Sequence, residues 1–299
     1  MFSTVFILLV VALYQIDESL ADKFKIRCSA IGDIMGGSLG ISESQTRELN
    51  ELLTKSKTKP LTAIQQTKMF DLTEKFNAKP SLSAGAKTYC QKWLKESRGM
   101  YNRRSDKSSN RYTEKGLIVE DHAIDFISDM LGFPMLLKNE LLIENEYMRG
   151  TCDVKTPNLI IDNKSSWDFD TFPFFEKKIP NLGYELQGQG YMELENIDNF
   201  KLIYTLMDTP ENIILREATS YSYKNGFGEL TESLLNEFKA KMTYGNIPNE
   251  LKIKIFNIKR DKTAPSKIEE RVKLCRVYIK ELIQEANTQI LELSKLTVN

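Results

Sequence analysis

Hydrophobic and polar positions alternate at two periods along this chain. From 117 to 131, LIVEDHAIDFISDML places Leu117, Ile124, Ile127 and Leu131 on one stripe at helical spacing, and Glu120 falls inside that stripe. Segments 43 to 56 and 62 to 77 read as polar helices, the second following Pro60, and SAIGDIMGG reads as a short helix stopped by Gly36-Gly37. After the 117 to 131 helix the spacing shortens. MLLKNELLIEN, 135 to 145, predicts a strand, RGTCDVKTPN carries a second short strand into a Pro-Asn turn, and LIIDNKSS forms a third. The last two make an antiparallel hairpin closed by Thr156-Pro157-Asn158. Helical spacing returns in GYELQGQGYMEL, 183 to 194, where Gln187 and Tyr191 share a face at i,i+4. A final amphipathic helix repeats Ile268, Val272, Cys275, Ile279 and Leu282, which suits a core or an oligomer face. Interleaved helices and strands, without a repeat, a low-complexity block or a heptad array, predict a mixed α/β (α+β mixed sheet) architecture.

A chain of 299 residues with 41% hydrophobic content can bury one sizeable core with elaborations. The expected organisation is a hydrophobic segment at 1–20, then a single domain over 21–299 with a helical part (21–116) ahead of a core (117–285). Forty-one basic and forty-one acidic residues cancel, which removes a global field for nucleic acid and leaves a local basic groove open. Cys28, Cys90, Cys152 and Cys275 are scattered without a CxxC pair, against a zinc ribbon or a dense disulfide framework. VFILLVVAL, 5 to 13, has the length of a signal-peptide core and is too short to span a bilayer. No Lys or Arg precedes it, the first being Lys23, so the orienting positive region is missing. A cytoplasmic protein without a membrane partner is expected, with export the minority alternative. KESRGMYNRRSDKSSNRYTEKG, 95 to 116, is basic and apolar-poor and reads as an exposed loop, either solvated surface or a phosphate contact.

Charge within apolar segments marks the candidate chemistry. Glu120 on an apolar stripe needs a cation, a metal ion or a proton, or else sits half-exposed near the first helical turn. His122, the only histidine, falls on another face and is incidental. On the strand LIIDNKSS, Asp162 and Lys164 are two apart and share a face, while Ile161 and Asn163 take the other. Asp153, just before the turn, reaches the same end of the sheet. Carboxylates from neighbouring strands suit a hard cation such as Mg²⁺, which requires oxygen ligands. Trp167 and the aromatics of SSWDFDTFPFF either stack bases or pack over the sheet.

In this order the segments IRCSAIGDIM, KGLIVEDHAIDFI, GTCDVKTPNLIIDNKSSWDFDTFP, YELQGQGYM and KIKIFNIKRDKTAPSKIEERVKLCRVYI resemble the phage-type exonucleases of the PD-(D/E)XK nuclease superfamily, including the lambda-exonuclease and YqaJ-like recombination nucleases. They span most of residues 25 to 280. The resemblance implies a restriction-endonuclease-like core, a central mixed sheet flanked by helices. It implies that Glu120 is the helix carboxylate, Asp153 and Asp162 the strand acids, Lys164 the catalytic lysine, and Gln187 and Tyr191 the QxxxY pair that supports the site. Glu120, Asp153, Asp162 and the Asn163 backbone carbonyl would hold Mg²⁺, or Mn²⁺, and Ser29 with Arg27 would bind substrate, Ser29 at a terminal 5′-phosphate or merely as an N-cap. Two departures stand out: Asp162 replaces the commoner Glu, and Cys152 stands where the name-giving proline would be. The four-cysteine iron–sulfur pattern of related nucleases is absent, so no iron–sulfur cluster is expected. The implied function is metal-dependent exonucleolytic hydrolysis of DNA, 5′ to 3′ from double-stranded ends in phage-type recombination. The implied partners are a single-strand annealing protein and a homo-oligomer, a ring trimer by family resemblance. The alternatives are a structure-specific endonuclease or resolvase on the same fold and a non-catalytic DNA-binding relative.

Overall fold

Local capping chemistry sets the first helices. The computed structural model describes residues 15–99 and 110–296; the apolar run at 5 to 13 and residues 100 to 109 of the basic stretch lie outside them. Strand β1 (Ile26–Arg27) leads through a 3-10 turn, Cys28–Ala30, into a single helical turn, α1 (Ile31–Ile34). Strand β2 (Gly37–Ser38) pairs antiparallel with β3 (Ser81–Leu82). Gly37 has φ +102°, and a Cβ there would meet the Ser81 carbonyl oxygen at 2.2 Å, so this position needs glycine. Between these strands lie α2 (Glu43–Thr58) and α3 (Ala63–Asn77). Ser42 with Gln45, and Thr62 with Gln65, form complete capping boxes that satisfy the first free N–H groups of each helix. Leu49, Leu52, Leu61 and Leu72 close the core of this pair. Helix α4 (Ala84–Ser97) follows.

The next helix corrects the expected loop of 95 to 116 at its end, over 111 to 116. Helix α5 (Arg111–Leu131) starts six residues before 117, because the Asn110 side chain accepts from Tyr112 N at 3.0 Å and caps it. Its buried face carries Val119, Ala123, Ile124 and Ile127, with Leu131 packed against the same core; of the expected stripe only Leu117 is exposed, and Glu120 is half-buried. The expected strand at 135 to 145 is also corrected. Only β4 (Ile143–Glu144) is extended and paired, with β5 (Met148–Gly150); within the preceding stretch Leu136 packs into the core and Lys138 makes one isolated bridge to Val154.

Strands β6 (Val154–Lys155), β7 (Ile160–Ser165), β8 (Asn199–Thr205) and β9 (Ile253–Lys259) form a four-stranded sheet in that order. The β6–β7 hairpin pairs Val154 with Ile161, and the turn Thr156-Pro157-Asn158 is closed by Thr156 N donating to Leu159 O at 2.9 Å, as expected. β7 and β8 run parallel, which requires a crossover, supplied by α6 (Leu182–Glu195). β9 is antiparallel to β8. One sheet face packs Ile161 and Ile203 against Ile124 and Ile127 of α5. On the other, Phe200 lies against α6, where a Cβ on Gly188 would come within 2.9 Å of its ring. Helices α7 (Glu211–Lys224) and α8 (Glu232–Met242) lie between β8 and β9.

The last helix, α9 (Ala264–Leu296), buries Ile268, Val272, Cys275, Ile279 and Ile283 completely, one position past the expected Leu282 at its end. Its Arg271 donates to the carbonyls of Ser81 and Gly37, both at 2.9 Å. The described residues cluster in two compact units, one from residues up to Ile26, Gly32–Ser97 and Ser266 onward, the other from Arg27–Ile31 and Arg98–Pro265. The second contains the whole sheet β6–β9. Among the described residues no helix is long and apolar enough to cross a membrane.

Candidate active site

Strand alternation puts Ile160, Asp162 and Lys164 on the face of β7 toward α6. Asp162 is 1% exposed, a cost that an ionised carboxylate bears only with partners. Lys164 Nζ lies 2.6 Å from Asp162 Oδ2. Gln187, one helical turn from Tyr191 on α6, donates its Nε2 to Asp162 Oδ1 at 3.0 Å and to Tyr191 Oη at 3.2 Å. Tyr191 Oη in turn donates to the Thr151 carbonyl at 2.9 Å. The chain of donors therefore fixes both Asp162 and the backbone two residues before Asp153. Oδ2 of Asp162 is buried, and the Lys164 ammonium is its close partner.

Asp153 approaches from β6's leading edge, and its Oδ2 accepts from Asn163 N at 2.7 Å. Loss of water around it, then the charge of Asp162, push its carboxyl up from 3.8 to about 8, with Lys164 and the Asn163 N–H acting the other way. Burial works against the Lys164 ammonium, yet the charges of Asp162 and Asp153 outweigh it and hold its pKa above the ordinary lysine value. Lys164 is a cation at neutral pH. Its Nζ also sits 4.8 Å from the centre of the Tyr184 ring.

A cleft of about 480 Å³ opens over this group, lined by Glu120, Asp153, Asn163, Lys164, Trp167 and Tyr184 among others. Glu120 reaches its wall but is engaged by Lys138 Nζ at 2.9 Å. Among the described residues no three His, Cys, Asp or Glu side chains are gathered closely enough to hold a metal ion. The acids that share the centre are thus the pair Asp153 and Asp162. Arg27 is half-buried on β1 and Ser29 is exposed on the following turn, both outside the cleft lining. Cys28 between them packs under α6: a Cβ on Gly190 would meet its Sγ at 3.0 Å. His122 is exposed, in keeping with an incidental role.

Lys138 and Lys115 were not foreseen. Lys115 is buried on α5 with its Nζ donating to the Trp167 carbonyl at 2.7 Å; its burial signal was hidden in the basic run read as a loop.

A mixed sheet with a helical crossover, and an acid–lysine strand facing a Gln–Tyr helix, define the restriction-endonuclease-like fold of the PD-(D/E)XK superfamily, and the chain resembles its phage-type exonucleases over nearly its whole length. A phage-related exonuclease from Haemophilus somnus 129PT superposes with a TM-score of 0.62 at 27% identity, covering 93% of this chain and 99% of that one. The alkaline exonuclease LHK-Exo from Laribacter hongkongensis superposes with a TM-score of 0.52 at 12% identity, covering 92% and 98%, and its complex with dAMP gives the same score at 13% identity over 90% and 94%. No protein-family model matches the sequence, and no curated protein does.

Proposed function

We propose that the chain is a metal-dependent DNA exonuclease that hydrolyses phosphodiester bonds 5′ to 3′ from double-stranded ends, in phage-type recombination. The fold likeness to a phage-related exonuclease at 27% identity supports the hydrolase class. The carrying observation is the Asp162–Lys164 pair, 2.6 Å apart at a buried carboxylate oxygen, with a second, water-poor carboxylate beside it. Such a donor set fits a hard divalent cation, Mg²⁺ or Mn²⁺, held by Asp153, Asp162 and the Asn163 carbonyl, with Glu120 at the cleft wall. A bound divalent ion would stabilise charge on the phosphate and make water a stronger nucleophile.

The chain's own residues do the rest. Lys164, as an ammonium, donates to the attacking water or a phosphate oxygen and offsets charge that develops at phosphorus. Gln187 keeps Asp162 Oδ1 aimed, and Tyr191 anchors the backbone that carries Asp153. Arg27 and Ser29 are the proposed phosphate contacts of the strand end. A single-strand annealing protein and a ring-shaped homo-oligomer are the proposed partners.

The test is degradation of a linear 5′-phosphorylated duplex beside a covalently closed circle, in Mg²⁺, in Mn²⁺ and in EDTA. Loss of the linear DNA alone, in metal alone, is expected. Cleavage of the circle would turn the reading to the endonuclease alternative, and no cleavage in either metal would turn it to a DNA-binding relative.

A further inference from the structure

Beside the acid–lysine centre the cleft has an aromatic wall that the hydrolysis above does not use. Trp167 and Tyr112 both line it, with ring centroids 5.0 Å apart and planes at 71°. The Arg111 guanidinium lies 5.0 Å from the Tyr112 ring centre and 5.2 Å from that of Trp167, and Arg111 is held by an ion pair to Glu217. Tyr112 is 50% exposed and Trp167 half-buried, so both rings keep surface toward the cleft.

This wall is fixed at several points. Buried Lys115 holds the Trp167 carbonyl at 2.7 Å. The loop after it is locked by Asp168 and Thr171, with Thr171 N donating to Asp168 Oδ1 at 2.9 Å and Asp168 N donating to Thr171 Oγ1 at 3.1 Å. A pre-ordered aromatic surface loses little freedom when it stacks on a ligand. Trp167 also lines a second cleft, of about 380 Å³, whose wall includes Asp168, Asp170 and Glu217. Lys241 shares that wall, and Glu217 is already paired with Arg111; in the first cleft Lys164 stands with Glu120 and Asp153, and its ammonium is the cation there that a phosphate could meet. Trp167 follows Lys164 by three residues and lines the same cleft, so a strand whose phosphate lies at Lys164 passes beside its ring.

We propose that Trp167 and Tyr112, braced by Arg111, form a nucleobase subsite that stacks the terminal unpaired base of the strand whose phosphate lies at Lys164. The subsite rests on the nuclease reading only for the placement of that phosphate. Every base has an aromatic face, so this subsite is tolerant of sequence and selects for a base over an empty sugar.

The chain has two tryptophans, and Trp93, 9% exposed and packed edge-on to Phe24, is replaced conservatively by Trp93→Phe to leave Trp167 as the sole reporter. This full-length protein is titrated in EDTA with a 5′-phosphorylated oligothymidylate and with the same strand carrying an abasic terminal nucleotide. Strong quenching by the first and little by the second is expected. In the unaltered background, Trp167→Ala weakens oligothymidylate binding roughly tenfold, while Trp167→Phe, which keeps a ring and guards against a folding defect, stays near the parent. Equal quenching by the two strands, or an unchanged affinity in Trp167→Ala, overturns the subsite. Base-dependent quenching in a protein that cleaves no DNA in Mg²⁺ or Mn²⁺ overturns the nuclease reading and leaves the subsite standing.

Discussion

Two lysines of the sheet-bearing unit, Lys164 on β7 and Lys115 on α5, are both withdrawn from water and meet opposite fates. Lys164 faces two carboxylates, and their charges hold its proton above the ordinary lysine value despite burial. Lys115 has a backbone carbonyl as its near partner, and burial lowers its pKa from 10.5 to about 8, against weaker support from Asp168 and Asp208. Residue type is shared, but Lys164 keeps 24% of its side chain exposed while Lys115 is 1% exposed, so burial and partners together separate them, and the two carboxylates set the sign at Lys164. A cation matched to two acids at a cleft is arranged to receive a charged ligand. A cation spent on one carbonyl fixes a loop.

The largest effect that would break this contrast is at Lys164. Lys164→Ala is expected to lower the cleavage rate at least about a hundredfold, with Lys164→Arg failing to restore it because a planar guanidinium cannot occupy the site of a compact ammonium. Rates are to be read beside a melting curve, since removing one member of a buried ion pair also destabilises the fold by roughly 3–5 kcal/mol.

Next is Lys115. Between pH of about 8 and 10.5 the unfolded chain binds this proton more tightly than the folded one, so the group makes stability rise with pH across that window. The rise from this one group approaches about 3 kcal/mol, and Lys115→Met should abolish it in urea unfolding followed at several pH values, while cleavage of DNA continues. Asp153 acts with the opposite sign: its carboxyl, raised from 3.8 to about 8, makes stability fall as pH rises through that range. Mg²⁺ or Mn²⁺ should therefore raise the melting temperature more near the top of the range than near its bottom, and Asp153→Asn should remove that difference.

The smallest expected effect sharpens the contrast from outside the charges. Gln187→Ala removes a donor to Asp162 Oδ1 and to Tyr191 without touching a charge. The metal concentration at half-maximal rate should rise roughly tenfold to a hundredfold, as for other residues that orient ligands.

Much of the centre was legible because its signals are local. The i,i+2 spacing of Asp162 and Lys164, the Pro-Asn turn and the i,i+4 pair Gln187 and Tyr191 each fix a direction within one element, and the structure joins them as those directions require. Partners across elements were not legible. The Lys138–Glu120 pair joins positions 18 apart through a segment that looked like a strand and is mostly irregular. Lys115 was hidden by composition: a basic, Ser/Asn-rich run reads as loop, and only the Asn110 cap betrays the helix that buries it. On the apolar stripe of α5, Ile124, Ile127 and Leu131 meet the core, and Leu117 alone departs: it fits the spacing yet lies in the first turns, where the cleft leaves it exposed.

The most direct measurement is single-turnover degradation of one 5′-phosphorylated linear duplex in Mg²⁺ by the unaltered protein, Lys164→Ala and Lys115→Met side by side, each shown to be folded. Cleavage by the first and third, at a rate at least about a hundredfold above that of Lys164→Ala, is the expected result. Cleavage by folded Lys164→Ala at the unaltered rate would contradict the assignment of the chemistry to the Asp162–Lys164 pair.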